Sequence, residues 1–268
     1  ILFARNKNLL IHGKIYKFMK FSIITVSLNS EKTIEKTILS VINQNYYNIE
    51  YIIIDGCSND NTINIINSYK RDIDVIIIEK DDSLYDAINK GIKIATGDII
   101  GILNSDDHFN NNNVISIISN EFINNLSIDA VIGGVSFFNN GLKKRVFKSL
   151  GFKNSFFKFG MMPPHPSFYA KRSLFTKYGL YSTKYKISAD FDLLLRFFLI
   201  HKINYKIIDM IFVNMQMNGI STKDYKSNLL LNKEILISLK SNKIYSNYIL
   251  IYSKYFYKIF QFIFKYEK

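Results

Sequence analysis

The chain has 268 residues, 48% of them hydrophobic and 15% aromatic, with a formal net charge of +13 and a single cysteine, Cys57. That length and apolar content suit one sizeable α/β domain, or such a domain with a small appendage, and one cysteine excludes an intrachain disulfide and fits a reducing compartment. The charge gathers at the ends: residues 1–20 hold five basic residues and no acid, and residues 222–268 hold nine Lys against Asp224, Glu234 and Glu267, so the nearly neutral middle argues against a nucleic-acid partner, whose reader carries its basic face over the body of the fold.

Residues 1–18 read as a poorly ordered lead-in, with Met19 as the natural start, because Met19-Lys20 directly precedes the first strong strand. The apolar start is interrupted by Arg5, Lys7 and Lys14, so no secretory signal is expected. Phe21–Leu28 is a β-branched, apolar run that predicts a buried strand. Asn29-Ser30 is expected to cap a helix running to about Gln44, with Ile34, Ile38, Val41 and Ile42 at helical spacing. Glu50–Ile54 predicts a second strand ending at Asp55, and the loop Asp55–Asp60 opens a second helix. A third strand over Ile73–Glu79, a helix over Ser83–Ala95 and a fourth strand over Asp98–Leu103 complete a β-α-β-α-β-α-β order, which implies a parallel sheet.

The carboxyl ends of these four strands carry Thr25 and Ser27, Asp55, Asp81 and Asp82, and Asn104-Ser105-Asp106-Asp107. Ligands of open α/β sheets bind outside that edge. Two adjacent acids there suit a hard divalent cation shared with ligand phosphates. No Gly-x-Gly-x-x-Gly follows the first strand and no Gly-Lys-Ser/Thr loop appears, which argues against a dinucleotide site or a P-loop.

Beyond Asp107 the pattern loosens. Val114–Phe122 predicts a helix, and Ala130–Phe138 with Lys143–Lys148 predicts paired strands across Asn-Asn-Gly. Residues 151–168 hold all three prolines and read as a long functional loop containing His165. Leu174–Tyr178 is a short helix. Ser188 is placed to cap a helix with Asp190 and Asp192 in its first turn. Tyr205–Val213 predicts a strand, and residues 227–268 predict one or two helices. No run of 18 uncharged apolar residues occurs, so no transmembrane helix is expected.

In this order and spacing, Ser22–Asn29, Ile54–Thr62, Asp86–Gly91, Ala95–Ile100 with Asn104–Asp107, and Ala189–Asp192 resemble the family 2 glycosyltransferases of the GT-A fold, the bacterial polysaccharide and lipopolysaccharide sugar transferases above all. The resemblance spans about residues 20–215. It implies an α/β GT-A domain with a mostly parallel central sheet over residues 19–220, its 19–107 half taking the nucleotide sugar and its 108–220 half the acceptor, followed by a helical, basic-aromatic extension over 221–268.

It further implies an inverting transfer from a nucleotide-diphosphate sugar, UDP-sugar favoured, to a hydroxyl of a saccharide or lipid-linked saccharide. Thr25, Ser27, Glu31, Asp55, Asp86, Asn89, Asn104 and Ser105 would line the nucleotide sugar. The family's Asp-x-Asp metal motif falls on Asn104-Ser105-Asp106, with Asn104 replacing the first acid. Asp106 and Asp107 would hold Mn or Mg, and Asp190 would be the general base. His165, Asp192 and Arg196 are candidate acceptor or diphosphate contacts. Ile244–Phe264 mixes Tyr, Phe and Ile with Lys254 and Lys258, which suggests a cytoplasmic protein held peripherally on the inner membrane face through 241–268; packing on the catalytic body or a homodimer is the other use of that helix. The reading from a different class is a non-catalytic nucleotide-sugar or saccharide binding protein of the same fold.

Overall fold

A computed structural model describes residues 8–11, 14–17, 19–139, 141–217 and 225–264. Asn8–Ile11 (β1) and Lys14–Lys17 (β2) pair antiparallel, and the rest of the expected lead-in lies outside the described residues.

The body is built on a nine-stranded sheet. Its strands are Phe21–Ser27 (β3), Ile49–Asp55 (β4), Val75–Ile78 (β5), Ile99–Ile102 (β6), His108–Phe109 (β7), Ala130–Asn139 (β8), Leu142–Phe147 (β9), Phe168–Lys171 (β10) and Tyr205–Gln216 (β11). They lie in the order β5-β4-β3-β6-β10-β8-β11-β7, with β9 also paired to β8. The first four are mutually parallel, with Ser27 beside Asp55. The chain moves outward from β3 to β4 and β5, then returns to place β6 on the other flank of β3, which makes the crevice above β3 a topological switch point.

Every residue of β3 is buried, as continuous apolar runs in a doubly covered parallel sheet require. Ile34–Ile42 (α1), Thr62–Ser68 (α2) and Val114–Asn124 (α4) cover one face, packing Ile34, Ile66 and Phe122 against Ile23, Ile53 and Phe212. Leu84–Ile94 (α3), Arg172–Tyr178 (α5), Ala189–Leu195 (α6), Tyr225–Ser241 (α7) and Tyr248–Phe264 (α8) cover the other. Ile235, Leu236, Leu239 and Ile251 of α7 and α8 belong to that same core cluster, so these two helices share the core of the sheet's body.

Two local expectations are corrected. Ser30 does not cap α1, which begins four residues later at Ile34. Asn29 takes a left-handed φ of 51°, and residues 29–33 instead make cross-loop bonds. Residues 151–168 are not an open loop: Asn154–Phe159 and His165–Ser167 form 3-10 turns, and Phe157 is fully buried. That segment runs directly into β10, which inserts antiparallel between β6 and β8. Here Gly101 of β6 lies under the Tyr169 ring, and a Cβ at that position would overlap Tyr169 Cε1.

Candidate active site

The rim at the carboxyl ends of β3, β4 and β6 is a lattice of side-chain bonds to backbone and to other side chains. Asp55 is fully buried; its Oδ2 accepts from Ser27 Oγ at 2.7 Å and Ser58 Oγ at 2.7 Å, and its Oδ1 from the Ser58 amide at 2.7 Å. A buried carboxylate is tolerable when several donors satisfy it. Asn29 Oδ1 accepts from the Asn59 amide, Glu31 Oε2 from the Asn61 amide, and Thr62 Oγ1 from the Ser30 amide. Ser30 Oγ meets Ser105 Oγ at 2.8 Å, which carries the lattice to the end of β6. Thr25 lies below this rim, fully buried with Oγ1 3.2 Å from Tyr51 OH.

Asp86 and Asn89, both on α3, have different neighbours. Lys90 Nζ lies 2.9 Å from Glu79, 2.8 Å from Asp81 and 3.3 Å from Asp86, and these acids raise its pKa. Asn89 is buried and bonds both backbone groups of Tyr181, donating to its O at 2.8 Å and accepting from its N at 3.0 Å. Those bonds take up the amide expected at the nucleotide sugar and tie α3 to the segment before α6.

At the end of β6 the two acids diverge. Thr37 on α1 donates to the backbone oxygens of Ser105 and Asp107 and fixes the turn. Asp106 is half-buried; burial raises its pKa, while its own backbone and the charge of His165 pull the other way. Asp107 is 2% exposed. Burial pushes its carboxyl well above the usual range, the Asp106 charge adds to this, and the Gln216 backbone N–H offsets part. Asn104 Oδ1 and Asp107 Oδ2 are buried oxygens without a hydrogen-bond partner. His108, next in sequence, is pushed down to about 4 by burial and by Lys36, so it is neutral near pH 7.

Asp106 beside an unsatisfied Asn104 oxygen suits Mn or Mg, which bind through one or two carboxylates with substrate phosphates and water completing the shell. No cluster of three His, Cys, Asp or Glu side chains able to make an all-protein cage occurs among the described residues. Asp107 is almost fully buried, which leaves Asp106 the more accessible of the two acids expected at the metal.

His165 and Asp190 meet, and His165 also lies within electrostatic reach of Asp106. His165 Nδ1 lies 2.9 Å from Asp190 Oδ2, and Asp190 Oδ1 accepts from the Phe191 amide at 2.8 Å. Asp190 is 8% exposed. Asp192 and Arg196, expected at the acceptor, turn away. Arg196 Nε binds Asp192 Oδ2 at 2.9 Å, while its terminal nitrogens donate to the Tyr178 and Leu180 oxygens, each at 2.6 Å. The i,i+4 spacing of this pair is itself the signal of an intrahelical bridge.

Sequence reasoning missed three groups that hold the Asp190 segment: Tyr85, Tyr181 and Glu234. Tyr85 OH donates to the Ile187 oxygen at 2.5 Å, and its ring stacks on Tyr181 with centroids 5.8 Å apart. Ser188 does not cap α6 with its side chain; its Oγ donates instead to Glu234. Two grooves, of about 560 Å³ beside Gln44 and Tyr46 and about 450 Å³ beside Arg172 and Phe175, are lined by none of these groups.

Residues 22–187 match the family model described as Glycosyl transferase family 2. An uncharacterized glycosyltransferase of Mycobacterium tuberculosis is 31% identical over 181 residues, 65% of this chain and 67% of that protein. The putative teichuronic acid biosynthesis glycosyltransferase TuaG of Bacillus subtilis is 37% identical over 89 residues, 32% of this chain and 35% of its own. Among solved structures, S. aureus TarS in complex with UDP superposes with a TM-score of 0.60 at 19% identity, over 81% of this chain and 66% of that one. The mannosyltransferase PcManGT from Pyrobaculum calidifontis, in complex with GDP-Man and Mn2+, gives 0.61 at 15% identity, over 87% of this chain and 66% of that one.

Proposed function

The chain belongs to glycosyl transferase family 2, with the GT-A fold, and from that premise we propose an inverting transfer in which Asp190 is the general base, on a UDP-sugar donor and a saccharide or lipid-linked saccharide acceptor of cell-surface polysaccharide synthesis. The observation that carries this reading is the 2.9 Å contact of His165 Nδ1 with Asp190 Oδ2, with His165 also within electrostatic reach of Asp106. The UDP bound by TarS, the teichuronic acid biosynthesis in TuaG's putative name and the Mn2+ bound by PcManGT support the donor, pathway and metal parts of it.

In this scheme Asp190 accepts the proton of the acceptor hydroxyl as that oxygen bonds to the anomeric carbon. The bond from that carbon to the diphosphate oxygen breaks on the opposite face, and the nucleoside diphosphate leaves with the bonding pair. His165 donates Nδ1–H to the carboxylate and keeps its other oxygen lone pairs turned to the acceptor. Asp106, with Asn104 Oδ1, would hold the divalent cation, which when bound offsets charge on the leaving diphosphate. Ser27, Glu31, Asp55 and Ser105 shape the nucleotide rim, Thr25 supports it from below and Asp86 borders it through Lys90.

The test is nucleotide-sugar hydrolysis and transfer across a donor panel, with Mn2+ and with chelator. Asp190→Asn is expected to lower turnover about 10³-fold while UDP still binds. Turnover near the wild-type rate in that variant removes Asp190 from the mechanism, and UDP binding without turnover in the unmodified protein across the panel would favour the binding-protein reading.

We also infer peripheral membrane contact through the outer face of α8 and the turn before it. Tyr245 is 77%, Ile249 82% and Phe256 75% exposed, near the exposed Lys240 and Lys243, a combination suited to a headgroup boundary. Lys254, expected to reach lipid, is instead buried and bonds Asn232 Oδ1 at 2.7 Å, and the Lys258 side chain lies outside the described residues. No helix among the described residues is long and apolar enough to cross a membrane. Sedimentation with anionic vesicles should be lost in a Tyr245→Ser, Ile249→Ser, Phe256→Ser variant; equal sedimentation would refute the contact.

A further inference from the structure

One face of α7 carries Glu234 and Ser238 four residues apart, and Asn242, the turn residue just past its end, continues the step, a spacing that aligns side chains along a helix. All three reach the segment around Asp190. The Glu234 carboxylate accepts from three consecutive amides, Lys186 at 2.9 Å, Ile187 at 3.0 Å and Ser188 at 3.1 Å, and from Ser188 Oγ at 3.1 Å. Ser238 Oγ donates to Asp192 Oδ1 at 2.8 Å, and Asn242 Nδ2 lies 3.4 Å from the same oxygen. Asp190 therefore sits between two segments gripped by a helix more than forty residues further along the chain.

The grip is charged and enclosed. Glu234 is 6% exposed, and its four bonds all come from neutral groups of residues 186–188. A buried carboxylate held this way is sensitive to geometry, because any shift of that backbone leaves a desolvated charge short of donors. Ile187 is held from both sides, by Glu234 at its amide and by Tyr85 OH at its oxygen. The helical pair also reaches the other partner's segment: Ser246 Oγ donates to the Lys158 oxygen at 2.7 Å, ahead of the turn that leads to His165.

We propose that Glu234 is a positioning residue for sugar transfer: through the 186–188 amides, and with Ser238 and Asn242 on Asp192, it sets the placement of the Asp190 carboxylate against His165. This rests on the reading of Asp190 as the base. A misplacement of about 1 Å at a reacting group lowers rate on the order of 10²-fold, so the stripe acts on turnover and leaves nucleotide affinity alone.

The experiment reads the His165–Asp190 bond directly, through the imidazole 15N and Nδ1–H resonances of the full chain, assigned with His165→Gln. It adds kcat and KM for the nucleotide sugar that the donor panel selects, UDP affinity by calorimetry, and Tm. Glu234→Gln keeps the shape but presents an amide to the three N–H groups. It should lose the hydrogen-bonded Nδ1–H signal and lower kcat on the order of 10²-fold, with UDP affinity and KM within twofold. Combined with Asp190→Asn it should add no further loss. Lys233→Ala, exposed on the same helix, should match the wild type.

An unchanged imidazole signal and wild-type kcat in a folded Glu234→Gln overturn the proposal, as does an additive loss in the double variant. If Glu234→Gln does not fold, Ser238→Ala with Asn242→Ala takes its place, with a roughly tenfold lower kcat and a shifted signal expected and wild-type values overturning. Should Asp190→Asn keep full activity, the base assignment fails by itself, and the imidazole signal still decides whether Glu234 sets the pair.

Discussion

The two halves of the cleft are held by different means. The donor rim is stitched by bonds between neighbouring strand ends, such as Ser27 to Asp55 and Ser30 to Ser105, and every strand involved belongs to one parallel stack. The Asp190–His165 pair joins the first turn of α6 to a 3-10 turn, and its supports come from afar: Tyr85 on α3, and Glu234 and Ser238 on α7. One region is rigid because its sheet is; the other is only as well placed as the helices leaning on it. Damage to the first should appear in nucleotide affinity and stability, and damage to the second in turnover.

The sharpest break of that comparison is Asp190→Asn, expected to lower kcat about 10³-fold with UDP affinity unchanged, measured by steady-state kinetics and calorimetry. Next is Glu50→Gln, under the donor half. Burial alone would raise the Glu50 carboxyl, but bonds from Lys20, Ser22, and the Thr96 hydroxyl and amide outweigh it and hold the pKa at about 2. Losing the charge should lower stability by about 3 kcal/mol at pH 7, read as a shift in urea midpoint at constant m-value. With the folded value below the unfolded one of about 4.3, Glu50's contribution is whole above that pH and is lost as pH falls towards 2, where variant and wild type should converge.

Asn89→Ala removes both bonds to the Tyr181 backbone and unties the two halves, for a loss of about 2 kcal/mol. The smallest effect has the opposite sign. Asp107 carries a raised pKa from burial and the Asp106 charge, so the folded state binds its proton more tightly than the unfolded one, and stability falls as pH rises above the ordinary carboxylate value. In chelator, Asp107→Asn should raise Tm by a few degrees at pH 7 and by nothing at pH 3; a lower Tm at pH 7 would show that Asp107 is a satisfied anion.

The parallel stack was legible because its signal is local: buried apolar runs, each ended by polar residues and followed by a helix. Asp190 and His165 were visible as residues, but not as a pair, since nothing in the sequence reports that two segments 25 residues apart touch. Strand β10 was hidden because Phe-Tyr-Ala-Lys is too short for alternation to register, and it follows a proline-rich run that reads as loop. Asn89 and Asp107 show a different limit. Amides and acids near a strand end look alike in sequence, and only the fold decides which of them bonds backbone and which faces the ligand. The stripe of Glu234, Ser238 and Asn242 could have been found as polar residues at four-residue spacing on a helix otherwise carrying Ile235, Leu236 and Leu239, but their partner could not.

β10 also bears on how substrates come and go. Because it fills the gap between β6 and β8 through a full set of ladder bonds, the sheet continues unbroken from the donor side to the catalytic side. There is no seam along which the enzyme can open like a jaw, as hinged two-domain proteins do. On the proposed reading, substrates would come and go over the lip of that continuous sheet, with gating left to the short connections at its edge.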